Sequence, residues 1–397
     1  MRILLLHNRY QFRGGEDVCV EAQQTVLAER GHTVKLVEAT NDEIHGPVAK
    51  LRAAASAVYS LKWRARVAQE ITRFQPDIVH VHNSFPLLSP SVIYAAKAAR
   101  VPVVQTLHNY RLLCPNALLY RDGHVCEECI GSFFPWRGVA HKCYRGSMLG
   151  TAAVGLTYSL HHLLGTYNRV DTVVVLTEFA RAKLAAAGIP EANVAVVPNW
   201  LDHDPGVGRG AGGYVLYAGR LSQEKGIDLL VDSWRSSATH VELKIAGEGP
   251  LVRRVAEAQA HGSAITYLGQ QTSTELYSLM RNAIAVIAPS ACYEGLPRVL
   301  VESFAAGTPV IASKLGSFES LVKHGVNGLH FRPGDAQDMM RQVTWLFENP
   351  AAAREMRQGA RATYETSYTA ERGYEMLMAV YESALERAAK KQRGHET

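Results

Sequence analysis

A chain of 397 residues with 42 basic and 37 acidic side chains is longer than one hydrophobic core ordinarily supports, and too evenly charged for a nucleic-acid-binding protein. Its net charge of +5 still suits anionic small-molecule substrates, and 47% hydrophobic residues suffice for two cores. No stretch approaches the roughly 20 apolar residues of a membrane span. MRILLLHN is too short for a secretory signal, and Arg9, Arg13 and Glu16 follow it at once. A cytoplasmic protein is therefore expected, its six cysteines pointing to reduced thiols or a metal site rather than a disulfide scaffold.

In chain order, RILLLH predicts a first buried strand. Gly14 and Gly15 then open a helix over residues 16 to 30. Glycines there let a substrate approach backbone amides, although neither the G-x-G-x-x-G spacing nor a P-loop lysine is present. TVKLVEA predicts the second strand, residues 49 to 74 a long helix, and DIVHVHN a third strand ending in His80, His82 and Asn83. His80 is expected to point away from His82 and to be structural. A helix over 89 to 99 leads to strand PVVQTLH, whose carboxyl end carries His108 and Asn109, placed where either can meet a substrate hydroxyl. After the segment 110 to 146 come a helix over 147 to 168, strand TVVVLT, a helix over 178 to 187 and strand VAVVPN.

The glycine-rich DPGVGRGAGG, residues 204 to 213, reads as a linker. A second series of strands begins with YVLYAG, which runs into GRLSQEKGIDLL and places Arg220 and Lys225 at a strand end before a helix. Two cations and a helix N-terminus there suit a diphosphate; the alternative is two solvated basic residues flanking a glycine turn. VELKIAG ends in GEGP, where Glu248 lies in a turn suited to a nucleotide or simply exposed at the surface. After ITYLG, the run AIAVIAP (283 to 289) predicts a buried parallel strand. Glu294 follows it in a loop, and Glu302 lies in the next helix. Two carboxylates at that edge can each accept several hydrogen bonds from sugar or ribose hydroxyls. PVIAS is the last predicted strand, residues 371 to 390 form an amphipathic helix, and AAKKQRGHET is a frayed basic tail.

The alternation of strands and helices predicts an α/β protein of two doubly wound domains: 1–203, a linker 204–213, and 214–370, with 371–397 closing the chain. GGEDV (14–18), DIVHVHN (77–83), TLHN (106–109), VVPNWLD (196–202), AGRLSQEKG (218–226), IAGEGP (245–250) and EGLPRVLVE (294–302) together resemble the retaining glycosyltransferases of family 4. The resemblance implies a GT-B fold, two Rossmann-like domains facing a central cleft, the second binding a nucleotide-sugar donor and the final helix crossing back to the first. It implies that Arg220 and Lys225 bind the donor diphosphate and assist its departure, and that Glu294 and the amides of Gly295, Leu296, Pro297 and Arg298 approach the donor sugar. Of these four, Pro297 carries no N–H. Glu302 would bind ribose, Glu248 and Gly15 would complete the donor site, and His108 would lie beside the reacting sugar. Gly14, His82, Asn83 and Asn109 would face the acceptor. The resemblance further implies retention of anomeric configuration with no obligatory metal, by same-face attack of the acceptor while the leaving diphosphate takes its proton.

Segment 110–146 departs from the pattern. Cys114, Cys126, Cys129 and Cys143 follow a C-x11-C-x2-C-x13-C spacing that would suit a structural zinc, with thiols packed in a loop as the alternative. Its Phe133, Phe134, Pro135, Trp136, Arg137, His141, Lys142 and Arg145 suit a lipid surface or a lipid-linked acceptor, which would place the protein at the inner face of a membrane; Arg52, Lys62, Trp63, Arg64, Arg66 and Arg73 have similar character. The expected function is transfer of a sugar from a nucleoside-diphosphate donor, UDP sugar before GDP-mannose, to a saccharide or lipid-linked saccharide in polysaccharide, glycolipid or glycoconjugate assembly. The alternatives are a phosphorylase or hydrolysing epimerase of the same fold, and a non-catalytic sugar-nucleotide-binding subunit of a glycan synthase.

Overall fold

The computed structural model describes residues 1–10, 13–41, 46–237 and 239–393, with the side chains of 47–52 and 391–393 left aside. The chain divides into two compact units. The first comprises Met1–Leu119, Glu127–Asp202 and Ala370–Thr397; the second comprises Tyr120–Cys126 and His203–Thr369.

Through the first unit the elements run β1 (Arg2–Arg9), α1 (Gly15–Glu29), β2 (Thr33–Thr40), α2 (Gly46–Val58), α3 (Leu61–Phe74), β3 (Ile78–Asn83), α4 (Ser91–Ala98) and β4 (Val103–Leu107). The hairpin β5 (Tyr120–Arg121) and β6 (His124–Val125) comes next, then α5 (Trp136–Ala140), α6 (Met148–Leu163), β7 (Thr172–Val175), α7 (Glu178–Ala186) and β8 (Val194–Val196). The sheet is parallel, in the order β2-β1-β3-β4-β7-β8, so the chain reverses its direction of winding between β1 and β3.

Two expectations change here. Residues 49 to 74 do not form one helix: the first ends at Val58 and Ser60 caps the second, its hydroxyl accepting from the Trp63 amide at 3.3 Å. The hairpin β5–β6 groups with the second unit although its flanking residues belong to the first.

The second unit continues with β9 (Tyr214–Ala218), α8 (Ile227–Ser236), β10 (Glu242–Ala246), α9 (Val252–Ala260), β11 (Ile265–Gly269), α10 (Ser273–Asn282), β12 (Ala285–Ala288), α11 (Arg298–Ala305), β13 (Val310–Ser313), α12 (Ser317–Leu321), β14 (Gly328–Phe331), α13 (Ala336–Glu348) and α14 (Pro350–Ser367). Its parallel sheet has the order β11-β10-β9-β12-β13-β14, the 3-2-1-4-5-6 winding of dinucleotide-binding domains, with the reversal between β9 and β12. β14, a four-residue run on the sheet edge, is an element that the sequence pattern does not predict.

The last helix, α15 (Ala370–Arg393), joins the core of the first unit. Leu377, Val380, Tyr381 and Ala384 recur at helical spacing and pack with Ile3, Leu5, Ile78, Val104 and Trp200. Gly373 permits that approach, because a Cβ there would stand 2.1 Å from the Trp200 indole. Residues 394–397 of the basic tail lie outside the described residues.

Candidate functional site

Ligands of open α/β sheets bind beyond the carboxyl ends of the strands where the winding reverses. In the second unit that point lies between β9 and β12. The loop after β9 carries Arg220 and Lys225, and the loop after β12 carries Glu294. The neighbouring strands bring Lys225 Nζ to 2.5 Å from Glu294 Oε1, and the Ser290 hydroxyl donates to the same oxygen at 2.7 Å. The Ala291 amide donates to the Glu224 carbonyl at 2.9 Å, tying the two loops together, and Ser317 Oγ at the start of α12 donates to the Glu294 carbonyl at 2.8 Å. Burial opposes the charge on Lys225, but Glu294 outweighs it and holds the ammonium above its usual range. Burial pushes the nearby Cys292 thiol well up, so it stays protonated at neutral pH.

Arg220 is exposed. Its carbonyl accepts from the Tyr217 hydroxyl at 2.7 Å. The loops after β9 and β10 touch through glycine: a Cβ on Gly247, whose φ is +136°, would stand 1.9 Å from the Gly219 carbonyl oxygen. Glu248, in that second loop, is exposed and accepts from the Tyr267 hydroxyl at 3.0 Å. Gly295, Leu296 and Pro297 lead into α11, which starts at Arg298. One turn on, Glu302 is 8% exposed and its Oε1 accepts from Arg298 Nε at 2.7 Å.

In the first unit the reversal lies between β1 and β3, and His7, Asn8, His82 and Asn83 occupy their carboxyl ends. Asp17, three residues past Gly14, accepts from the Gly14 amide at 2.7 Å and pairs with His7 Nε2 at 2.8 Å. The glycine turn before α1 is thereby anchored to β1. Burial opposes ionisation of Asp17, but the bonds from His7 and Gly14 prevail and hold it below its ordinary range. Burial lifts the Glu16 carboxyl to about 7, where it accepts from the Tyr10 hydroxyl at 3.1 Å.

A histidine chain crosses β3 and β4. His80 stacks on His82 with ring centroids 4.2 Å apart, because residues two apart in a strand share a face; the expected opposite orientation is wrong. His80 bonds the Tyr381 hydroxyl and Thr106, both within 2.8 Å. His82 Nδ1 lies 3.0 Å from His108 Nε2, and His82 Nε2 lies 2.7 Å from Gln23 Oε1. Desolvation lowers His80 and His108 to about 3 and His82 well below its normal value, so all three are neutral at pH 7. With both ring nitrogens engaged and 5% exposed, His82 positions half-buried His108 instead of meeting an acceptor itself. Asn83 is similarly occupied, donating to the Asn8 carbonyl and accepting from the Phe85 amide. The Asn109 side chain accepts from the Arg111 amide at 3.1 Å. A cavity of about 20 Å³ beside Gln23, His82, His108 and Trp200 holds about one water rather than a sugar.

Sequence reasoning missed His7, Asp17, Gln23, Ser290 and Ser317. Only Asp17 left a local signal, an acidic side chain at the third helical position after Gly14. Among the described residues, no group of three or more His, Cys, Asp or Glu side chains is arranged to hold a metal ion. Cys114 Sγ donates to Asn116 Oδ1 at 2.9 Å.

Two six-stranded parallel sheets, each with polar side chains gathered at its reversal point, define the two-Rossmann-domain GT-B class. The fold matches sucrose-phosphate synthase of Thermosynechococcus elongatus with a TM-score of 0.71 at 16% identity, over 96% of this chain and 98% of that one. It matches Anabaena HepE, solved with UDP and glucose, at 0.66 and 19% identity, over 96% and 100%. The Glycosyltransferase Family 4 model matches residues 13–205 and the Glycosyl transferases group 1 model matches residues 207–363; the chain belongs to this glycosyltransferase family. It is 35% identical to a glycogen synthase of Mycobacterium tuberculosis over 298 residues, 72% of this chain, and spans 64% of that relative's length. A D-inositol 3-phosphate glycosyltransferase of Catenulispora acidiphila is 29% identical over 345 residues, 78% of this chain and 73% of that protein.

Proposed function

We propose that the chain transfers a glycosyl group, with retention, from a nucleoside-diphosphate sugar to a saccharide or lipid-linked saccharide. The observation that carries this reading is the cationic loop of Arg220 and Lys225 facing Glu294 at the reversal point of the second sheet. Exposed Arg220 meets diphosphate oxygens. Lys225, charged and already aligned, shares its protons between Glu294 and the departing phosphate, stabilising the charge that develops there. Glu294 then accepts from sugar hydroxyls, while the backbone of Gly295, Leu296 and Arg298 at the start of α11 approaches donor oxygens. Glu302, held by Arg298, takes the ribose hydroxyls, with Glu248 on the neighbouring loop. In the first unit the Gly14–Gly15 turn, anchored by Asp17, and His108, anchored by His82, serve the acceptor and the reacting sugar.

A UDP sugar is favoured, with GDP-mannose next. HepE, solved with UDP and glucose, supports the first. The test is a panel of nucleotide sugars incubated with the purified chain, following thermal stabilisation and release of nucleoside diphosphate. One donor should both stabilise the protein and be consumed, its product keeping the anomeric configuration. Stabilisation with no turnover on any acceptor would favour the non-catalytic subunit, and neither effect would reject the reading.

A further inference from the structure

Helix α6 turns several polar side chains inward and a line of leucines outward. Its buried side carries Thr151, Thr157, Ser159 and His161 beside Val154 and Gly155, and the polar groups are satisfied locally: Ser159 Oγ donates to the Phe133 carbonyl at 2.6 Å and His161 Nε2 to the Val58 carbonyl at 2.6 Å. Its outer side carries leucine. Leu149, Leu156 and Leu163 are 83%, 54% and 72% exposed. Seven-residue spacing drifts only about 20° per step, so the three form one line about 21 Å long. A helix serving only an aqueous protein has the opposite polarity.

The neighbouring segments extend the apolar line. The Phe133 ring lies 6.3 Å from that of His162, Phe134 and Pro135 press on Gly155, and α5 packs on α6. Phe133 and Trp136 are both more than half exposed. The rim is purely basic. Residues 130 to 170 contain no aspartate or glutamate, and Arg137, Lys142 and Arg145 are exposed.

We infer that this face docks on the surface of an anionic lipid bilayer, α6 lying in the interface plane with its leucines among the acyl chains and the basic rim on the headgroups. Among the described residues no helix is long and apolar enough to cross a membrane, and a 16-residue helix with one leucine line fits attachment instead. A second copy of the chain is the poorer occupant. In a two-fold pairing this basic rim would meet itself. The inference deepens the reading of a lipid-linked acceptor, yet it is tested apart from it, because flotation reports attachment and says nothing of turnover.

The experiment is flotation of the full chain with vesicles of phosphatidylcholine alone and of an equimolar phosphatidylcholine–phosphatidylglycerol mixture at low salt, with light scattering of the free protein. Wild type should float with the anionic vesicles, and Trp136 emission should shift to the blue. Leu149→Gln/Leu156→Gln/Leu163→Gln, at exposed positions, should keep its thermal midpoint and bind about 100-fold more weakly. Arg137→Glu/Lys142→Glu/Arg145→Glu should abolish the preference for anionic lipid. No flotation of wild type, or a concentration-dependent dimer that the leucine variant dissolves while lipid binding is absent, would overturn the assignment.

Discussion

Lys225 and Glu294 lie 69 positions apart in the chain and meet at 2.5 Å, because β9 and β12 are neighbours where the winding of the second sheet reverses. Their side chains are 29% and 12% exposed, so the pair is screened only in part. Removing either partner leaves a charge in a poorly solvated place. Lys225→Met and Glu294→Gln should each destabilise by about 1 to 3 kcal/mol, and the double variant by less than the sum. Urea unfolding of all four proteins measures this. Strict additivity would mean that the contact contributes nothing to the resting state.

Arg220 differs from Lys225 in being exposed, and little of the fold depends on its guanidinium. Arg220→Ala should lower turnover with the consumed donor by about 100-fold or more, as loss of a group aimed at developing charge does, with an unchanged thermal midpoint. Turnover near that of wild type would remove Arg220 from the donor site.

The bonds Gln23–His82–His108 prescribe a tautomer. Gln23 Oε1 accepts from His82 Nε2–H, leaving His82 Nδ1 to accept from His108 Nε2–H. Neutral His108 then presents its Nδ1 lone pair, fit to accept from a substrate hydroxyl. Long-range proton–nitrogen spectra of histidine-labelled protein should show His108 protonated on Nε2, and Gln23→Leu should mix the two forms. Protonation on Nδ1 in wild type would reverse the chain and make His108 a donor.

The buried imidazoles also set an acid limit. His80 and His108 titrate near 3 in the fold and near 6.5 unfolded, so below about pH 6.5 the unfolded chain takes up protons that the native one refuses. Stability is therefore complete above that pH and declines as pH falls towards 3, by about 2 kcal/mol for each of the two at pH 5. His82 acts in the same direction. Asp17, whose folded value is depressed, adds a loss only at lower pH, as it too becomes protonated. Urea midpoints at pH 7.5 and 5 check this, and equal stabilities would show that these rings are not held neutral.

Gly247→Ala places a methyl group 1.9 Å from the Gly219 carbonyl in a backbone region that L-residues rarely adopt. The loops after β9 and β10 must separate, at about 1 to 3 kcal/mol. Weaker stabilisation by the donor should accompany the fall in thermal midpoint, since Arg220 follows directly on Gly219. A midpoint equal to that of wild type would show that the loops adapt freely.

Much of the architecture was legible in the chain because hydrophobic period is local: RILLLH, DIVHVHN, YVLYAG and AIAVIAP each encode a strand whatever surrounds them. Short edge elements were not. β14 is a four-residue run containing His330, and Ser60, read as one more residue of a long helix, is the cap that divides it. The motifs located the carboxyl-end loops but not their internal bonds, and the expectation for His80 failed on strand geometry alone. By itself the sequence determined two wound sheets and the loops that could carry chemistry. Only the tertiary structure decided that Lys225 neutralises Glu294, that His82 serves His108, and that α6 turns its leucines outward, because each depends on which distant strand or helix becomes a neighbour, and periodicity along one chain does not specify that.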